Sequence, residues 1–283
     1  MSQIENKNQE KKVILDRIWV SLVAIPIVVL LVWFGSFWFT LLAVAWGLGA
    51  VHEYYQIIKH SKKLQPLTYF GMIWAALLIA SPHFKTVPHM ANISPLALIL
   101  VTGVVFSLLI ILWRPGKVNA FASWSWTMGG ILYIGFLLSF MVALRNLTDG
   151  QGWVFLAILC TFASDSSAYL VGRRIGKHKL APFISPNKSW EGAIAGVAGA
   201  IIASALIALF FALPVNYWQV ILLGLLVSVM GQLGDLVKSL FKRNMEIKDS
   251  GHVLPGHGGF LDRMDSLAFA GVTVFLFACM IGA

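Results

Sequence analysis

Apolar runs separated by short polar breaks divide the chain from residue 18 to its end. Nine such runs stand out: 18–34, 38–57, 67–80, 95–113, 126–144, 153–171, 192–213, 217–237 and 266–283. Most come close to the ~20 residues that a bilayer core requires, so the pattern predicts an all-α integral membrane protein with about nine transmembrane helices. The run at 67–80 is the shortest. Trp38, Tyr54, Tyr55, Trp113, Trp153, Trp190, Tyr217 and Trp218 lie near run ends, where amphipathic rings anchor at the interface.

Charge orients these spans. With the N-terminus in the cytoplasm, 19 of the 21 Lys and Arg residues fall in inside segments. Only Lys85 and Arg145 fall outside. This asymmetry predicts a cytoplasmic N-terminus. It also puts the two long charged loops, about 172–191 and 238–265, on the cytoplasmic side. The expected organisation is therefore residues 1–144, five helices with short loops, followed by residues 145–283, four helices with the cytoplasm-facing catalytic loops.

Composition narrows the function classes. The 283 residues are 58% hydrophobic and only 12% charged, and no stretch reads as a soluble domain. The excess of basic over acidic residues would suggest nucleic acid in a soluble protein, but in a polytopic one it reflects loop charges that set orientation. No nucleic-acid partner is expected. Cys160 and Cys279, the only cysteines, lie inside apolar runs and read as packing residues. Residues 1–17 mix both charge signs, and no small-residue cleavage pattern closes the next run, so that run reads as a retained span.

Against this apolar background the stretch 234–265 crowds Asp235, Lys238, Lys242, Arg243, Glu246, Lys248, Asp249, Asp262, Arg263 and Asp265 together with His252 and His257. A solvated loop collects charge too, so position has to discriminate. Asp165 and Asp235 lie inside or at the end of apolar runs, where an acid costs roughly 2.5–3.5 kcal/mol at the bilayer centre and is usually paired and functional. If the eighth helix continues past Val237, then Asp235, Lys238, Ser239 and Lys242 share one face, offering a carboxylate for a metal and two ammonium groups for phosphate. Gly231 and Gly234 would permit close approach there, or serve ordinary helix packing. Asp262 and Asp265 open the last span; they suit a helix N-terminus, and with Asp235 they also supply oxygen ligands of the kind Mg²⁺ takes alongside substrate phosphates. Pro255, Gly256, His257, Gly258 and Gly259 form a backbone-exposing loop able to cradle phosphate. His257 reads as a phosphate contact or a structural donor, since no ligand spacing suggests zinc. The earlier loop brings Arg173, Arg174, Lys177, Lys179 and Lys188, either for a triphosphate or lipid phosphate or as a positive-inside loop. Its spacing is too short for a P-loop.

The spaced set Ser239, Lys242, Arg243, Lys248, Asp249, Gly251, Leu254, Pro255, His257, Gly258, Gly259, Asp262, Arg263 and Asp265 resembles the signature of the phosphatidate cytidylyltransferases, the CDP-diacylglycerol synthases. No position departs from that pattern. The stretch 164–192 resembles a second block of the same family, with Ser166 and Ser167 standing where Thr and Gly are expected. Glu53, in the run His52, Glu53, Tyr54, Tyr55, resembles the acidic-aromatic end of the family's second helix.

The resemblance implies a membrane nucleotidyltransferase of phospholipid biosynthesis that makes CDP-diacylglycerol and pyrophosphate from CTP and phosphatidate, with Mg²⁺ required and a monovalent cation such as K⁺ beside it. It implies that Asp235 and Asp262 are metal ligands with Asp165 and Asp265 near the site, and that the enzyme is a homodimer in the bacterial cytoplasmic (inner) membrane with its active site facing the cytoplasm. Lys242, Arg243 and Lys248 are expected at the CTP phosphates on charge alone, and Arg173, Lys177, Lys179 and Lys188 at either substrate. Ser239, Asp249, Gly258, Gly259 and Arg263 join the expected substrate site through the signature. The competing readings are a paralogue or lipid kinase with another acceptor, and a transporter. A transporter site belongs near the midplane between repeats, whereas the acids here crowd one face and no repeat is visible.

Overall fold

A computed structural model describes residues 22, 24–84, 94–113, 119–247, 251 and 259–282 of the chain. Each apolar run becomes a helix, because a backbone surrounded by lipid must satisfy its own hydrogen bonds. The helices are α1 (Ala24–Phe34), α2 (Ser36–Lys62), α3 (Thr68–Ala80), α4 (Pro95–Leu112), α5 (Ala120–Gly130), α6 (Leu137–Arg145), α7 (Gly150–Ile175), α8 (Trp190–Phe210), α9 (Tyr217–Asn244) and α10 (Asp265–Met280). A π turn at Ile131–Phe136 joins α5 to α6 without a break, so the two form one rod of 26 residues.

Five rods are long and apolar enough to cross a membrane: α4, the α5–α6 rod, α7, α8 and α9. The described part of α1 and all of α10 are shorter apolar helices. At about 1.5 Å per residue, the 13 residues of α3 reach only about 20 Å, short of a ~30 Å hydrocarbon core. In contrast, α2 has 27 residues but carries His52, Glu53, Lys59, His60 and Lys62 in its C-terminal half.

The site-bearing elements are α7 to α10, and small residues let them approach closely. A Cβ on Gly192 of α8 would lie 2.7 Å from the Ala168 carbonyl oxygen of α7. At Gly234 of α9, a Cβ would lie 2.8 Å from the Asp265 carbonyl oxygen and 3.0 Å from the Phe269 ring. Gly234 therefore has the close-approach role its sequence position suggested. Gly231 does not, since its nearest neighbour across the interface is 3.8 Å away. Buried Leu223, Val227, Ala268 and Val274 belong to the common core of this region.

One feature meets a condition of the sequence reading and a second departs from it. First, α9 runs to Asn244, 28 residues and about 42 Å, so its last turns overshoot a bilayer core. A capping box at Asn216 and Gln219 starts it. Second, the fold is not purely α-helical. The loop after α7 folds into an antiparallel hairpin of β1 (Lys179–Ala181) and β2 (Ser185–Ser189), pairing Lys179 with Ser189 and Ala181 with Ser185. Strands of three and five residues are too short for a period-2 pattern to announce them.

Because Gly234 sets the spacing of α9 and α10 beside two acids, Gly234→Ala is expected to destabilise the protein by about 1–3 kcal/mol through overpacking. A lower unfolding midpoint of the detergent-solubilised variant, with Gly231→Ala near wild type, is the measured outcome.

Candidate active site

The hairpin and α8 fix one wall of the site. Ser189 caps α8 by accepting a hydrogen bond from Gly192 N at 3.2 Å. The backbone N–H of Trp190 donates to His178 O at 2.9 Å, closing the hairpin. Glu191 receives the His178 backbone N–H at 3.2 Å and pairs with its Nδ1 at 2.6 Å. Lys188 is thereby held one residue before the cap. Its Nζ lies 2.6 Å from Asp235 Oδ2 and 3.4 Å from Gln232 O on α9. Arg243 Nε donates to Ile184 O at 3.3 Å, a second tie between α9 and the hairpin. The two charged loops of the sequence thus meet.

The opposite wall is α9 against the start of α10. Because α9 is unbroken, Asp235, Lys238 and Lys242 project from one face at i, i+3 and i+7. Lys238 is the hub. Its Nζ lies 3.0 Å from Asp235 Oδ1, 2.6 Å from Asp265 Oδ2 and 2.9 Å from Asp262 O. An ammonium has three protons to donate, and here each has an acceptor. Lys238 is thus a buried cation held between two acids, where its sequence position suggested an ammonium for phosphate. The side chains of Lys238 and Asp265 are only 10% and 4% exposed. Lys242 Nζ pairs with Asp262 Oδ1 at 2.8 Å, while Gly259 N donates to Asp262 Oδ2 at 3.3 Å.

These groups border a cavity of about 600 Å³. Four acids line it, Asp165, Asp235, Asp262 and Asp265, and so do four cations, Arg173, Lys188, Lys238 and Arg263. Phe162, Tyr169, Leu180 and Leu267 add an apolar side, and Asn187 and Gln232 add neutral polar groups. Arg173 is braced by Tyr169, its Nη1 donating to the phenol oxygen at 3.2 Å. Such a space offers one molecule both an apolar wall and charged groups.

Of the acids expected at a metal, Asp235, Asp262 and Asp265 are brought together, with Asp165 on the same cavity. Among the described residues no three Asp, Glu, His or Cys side chains form a ready-made cage for an ion. The donor chemistry nevertheless fits a hard divalent cation, which takes one or two carboxylates and completes its shell with phosphate oxygens and water. Asp165 in particular borders the cavity yet makes no hydrogen bond or ion pair among the described residues.

The expected substrate contacts divide. Arg173, Lys188 and Arg263 line the cavity. Lys242 and Gly259 reach it through Asp262. Ser239, Arg243, Lys177 and Lys179 are not among the lining residues, and Arg243 serves the hairpin. Lys248, Asp249, His257 and Gly258 lie outside the described residues.

The pattern of the Cytidylyltransferase family matches residues 15–281. The chain belongs to that family. Among its relatives is the phosphatidate cytidylyltransferase of Bacillus subtilis (strain 168), 36% identical over 260 residues, covering 90% of this chain and 93% of the relative. The phosphatidate cytidylyltransferase of Brucella abortus biovar 1 (strain 9-941) is 35% identical over 273 residues, 93% of each chain. That of Staphylococcus haemolyticus (strain JCSC1435) is 44% identical over 139 residues, 49% of this chain and 53% of the relative. The sequence did not single out Gln232, Asn187 or the ion pairs that Lys238 makes. For Lys238 the signal was present, an i, i+3 spacing from an acid at the end of an apolar run.

Removing the hub should be costly. Lys238→Met leaves Asp235 and Asp265 without their shared cation, and breaking a buried pair in this way is expected to cost about 3–5 kcal/mol. Thermal unfolding in detergent checks this, and the double variant Lys238→Met with Asp265→Asn is expected to recover part of the loss.

Proposed function

We propose that this chain transfers a cytidylyl group from CTP to the phosphate of phosphatidate, giving CDP-diacylglycerol and pyrophosphate. The observation that carries this reading is the full-length similarity to relatives named phosphatidate cytidylyltransferase, 36% and 35% identical. The cavity is in keeping with it, since a lipid phosphate needs an apolar wall beside cationic groups. The reaction requires an oxygen of the lipid phosphate to attack the α-phosphorus of CTP while the bond to the β-phosphate breaks. Such chemistry relies on positioning and on stabilising charge, with little covalent help from protein.

In this reading Lys188, Arg173 and Arg263 orient phosphate groups in the cavity, with Lys242, Arg243 and Lys248 at the CTP phosphates and Lys177 and Lys179 serving either substrate. Mg²⁺ is held by Asp235, Asp262 and Asp265 with Asp165 beside it. A carboxylate has lone pairs to spare beyond one lysine contact, so the ion pairs described above are compatible with that role. A divalent ion held there would supply positive charge to offset that of the phosphates. A monovalent cation such as K⁺ accompanies it. Lys238 keeps Asp235 and Asp265 in register. The same reading has nine spans with the N-terminus inside, a homodimer, and a site facing the cytoplasm of a bacterial inner membrane, so that soluble CTP meets a lipid in the leaflet.

The test uses detergent-purified protein, labelled CTP, Mg²⁺ and dioleoyl phosphatidate. Label is expected in lipid only when metal and phosphatidate are both present, with pyrophosphate released. Asp235→Asn is expected to reduce this by about 100-fold or more while the protein still reaches the membrane. Label without phosphatidate, or none from a folded wild type, would overturn the reading.

A further inference from the structure

The acid-bearing turn Leu261–Arg263 has to be held from outside itself. It is a single 3₁₀ turn between α9 and α10, with no side-chain cap of its own. Its first backbone donors are therefore orphans that need acceptors elsewhere. The Leu261 N–H finds one 208 residues away: it donates to Glu53 Oε2 of α2 at 3.0 Å. Glu53 is only 6% exposed, an unusual place for a carboxylate unless it has partners.

The contact is part of a row. Trp46, Gly49 and Glu53 are spaced i, i+3 and i+7 on one face of α2. The Trp46 indole N–H donates to Phe260 O at 3.2 Å, and its ring meets the Phe260 ring edge-on with centroids 5.2 Å apart. Gly49 leaves room for that ring, since a Cβ there would come within 2.7 Å of it. Gly251 closes on the same carboxylate, as a Cβ there would lie 2.8 Å from Glu53 Oε1. One helix thus holds the backbone at Phe260 and Leu261 and packs closely against Gly251. The adjacent Tyr54 stacks on Phe241 of α9 with centroids 4.9 Å apart, next to Lys242, which pairs with Asp262.

We propose that Glu53, with Trp46, is a positioning residue for nucleotidyl transfer: it holds the backbone at Leu261 so that Asp262 and Asp265 are presented to the cavity. Glu53 does not line that cavity, so it acts through the turn and not on substrate. The inference rests on the proposed transferase reading for its kinetic consequence, but not for the clasp itself. What the turn needs from residue 53 is an acceptor oxygen, which glutamine also supplies and alanine does not.

The experiment compares wild type, Glu53→Ala, Glu53→Gln and Trp46→Phe as full chains in detergent, by steady-state kinetics and by hydrogen exchange of a peptide covering 259–264. Glu53→Ala is expected to lower kcat by about 10- to 100-fold, as a small misplacement of catalytic groups does, with KM for both substrates changed less than kcat. Exchange in 259–264 is expected to quicken while the hairpin peptide stays as in wild type. Glu53→Gln is expected to restore both to within about threefold, because its amide oxygen still accepts. Trp46→Phe keeps the ring and loses only the N–H bond, so it should show the same signature at about two- to fivefold, and it carries the test alone if Glu53→Ala fails to fold. Wild-type kcat and exchange in Glu53→Ala, or in Trp46→Phe where that variant stands alone, would overturn the proposal. So would an equal kcat loss in the alanine and glutamine variants with unchanged exchange, since that would mean a direct role for the charge. A wild type that makes no labelled lipid would overturn the function and the kinetic role, whereas the exchange arm would still read the clasp.

Discussion

The cavity depends on one ammonium group. Lys238 is shared by Asp235, Asp265 and the Asp262 carbonyl, and it lies among helices whose other neighbours are apolar. Three carboxylates brought this close would repel one another strongly in a medium of low dielectric. Lys238 offsets two of them, Asp235 and Asp265, while Lys188 pairs with Asp235 and Lys242 with Asp262. The arrangement also explains why α9 cannot stop at the membrane boundary. Asp235 and Lys242 must project from the same rod, two turns apart, to reach opposite ends of one cluster.

Around that cation the packing is steric and not merely electrostatic. Gly234 lets α9 touch the backbone of Asp265, and the acids approach because the main chains do. Ser189 caps α8 and so aims Lys188 across the gap. The hairpin, though short, is held at both ends, by His178 and Glu191 on one side and by the Arg243 bond to Ile184 on the other.

Much of this was legible in the sequence, for identifiable reasons. Apolar runs near 20 residues become helices because lipid leaves the backbone no alternative, and charged segments on either side of α8 meet through Lys188 and Asp235. The acids 235, 262 and 265 announced themselves by standing at the ends of apolar runs. Three things were not legible. The hairpin carries too few residues for a period to show. The pairing of Lys238 with Asp265 was hidden, since its i, i+3 spacing from Asp235 shows only one of its two acid partners. The bond between Glu53 and Leu261 spans 208 residues, and no local pattern encodes so distant a partner; only the oddity of a glutamate at the end of an apolar run hinted at one.

Among the described residues, those that line the cavity are all numbered 161 or higher, and none of the first half's described residues adds a wall to it. That division separates two kinds of evolutionary pressure. The outward faces of α3 and α4, with Tyr69, Ile73, Val101 and Phe106 exposed, answer only to the oil around them and are free to drift among apolar residues as membrane composition changes. The row on α2 that grips the acid-bearing turn lacks this freedom, although it is equally remote in sequence from the chemistry. A survey of natural variants should therefore find, within one half of the molecule, a lipid-facing surface that is nearly neutral beside a narrow stripe that hardly changes.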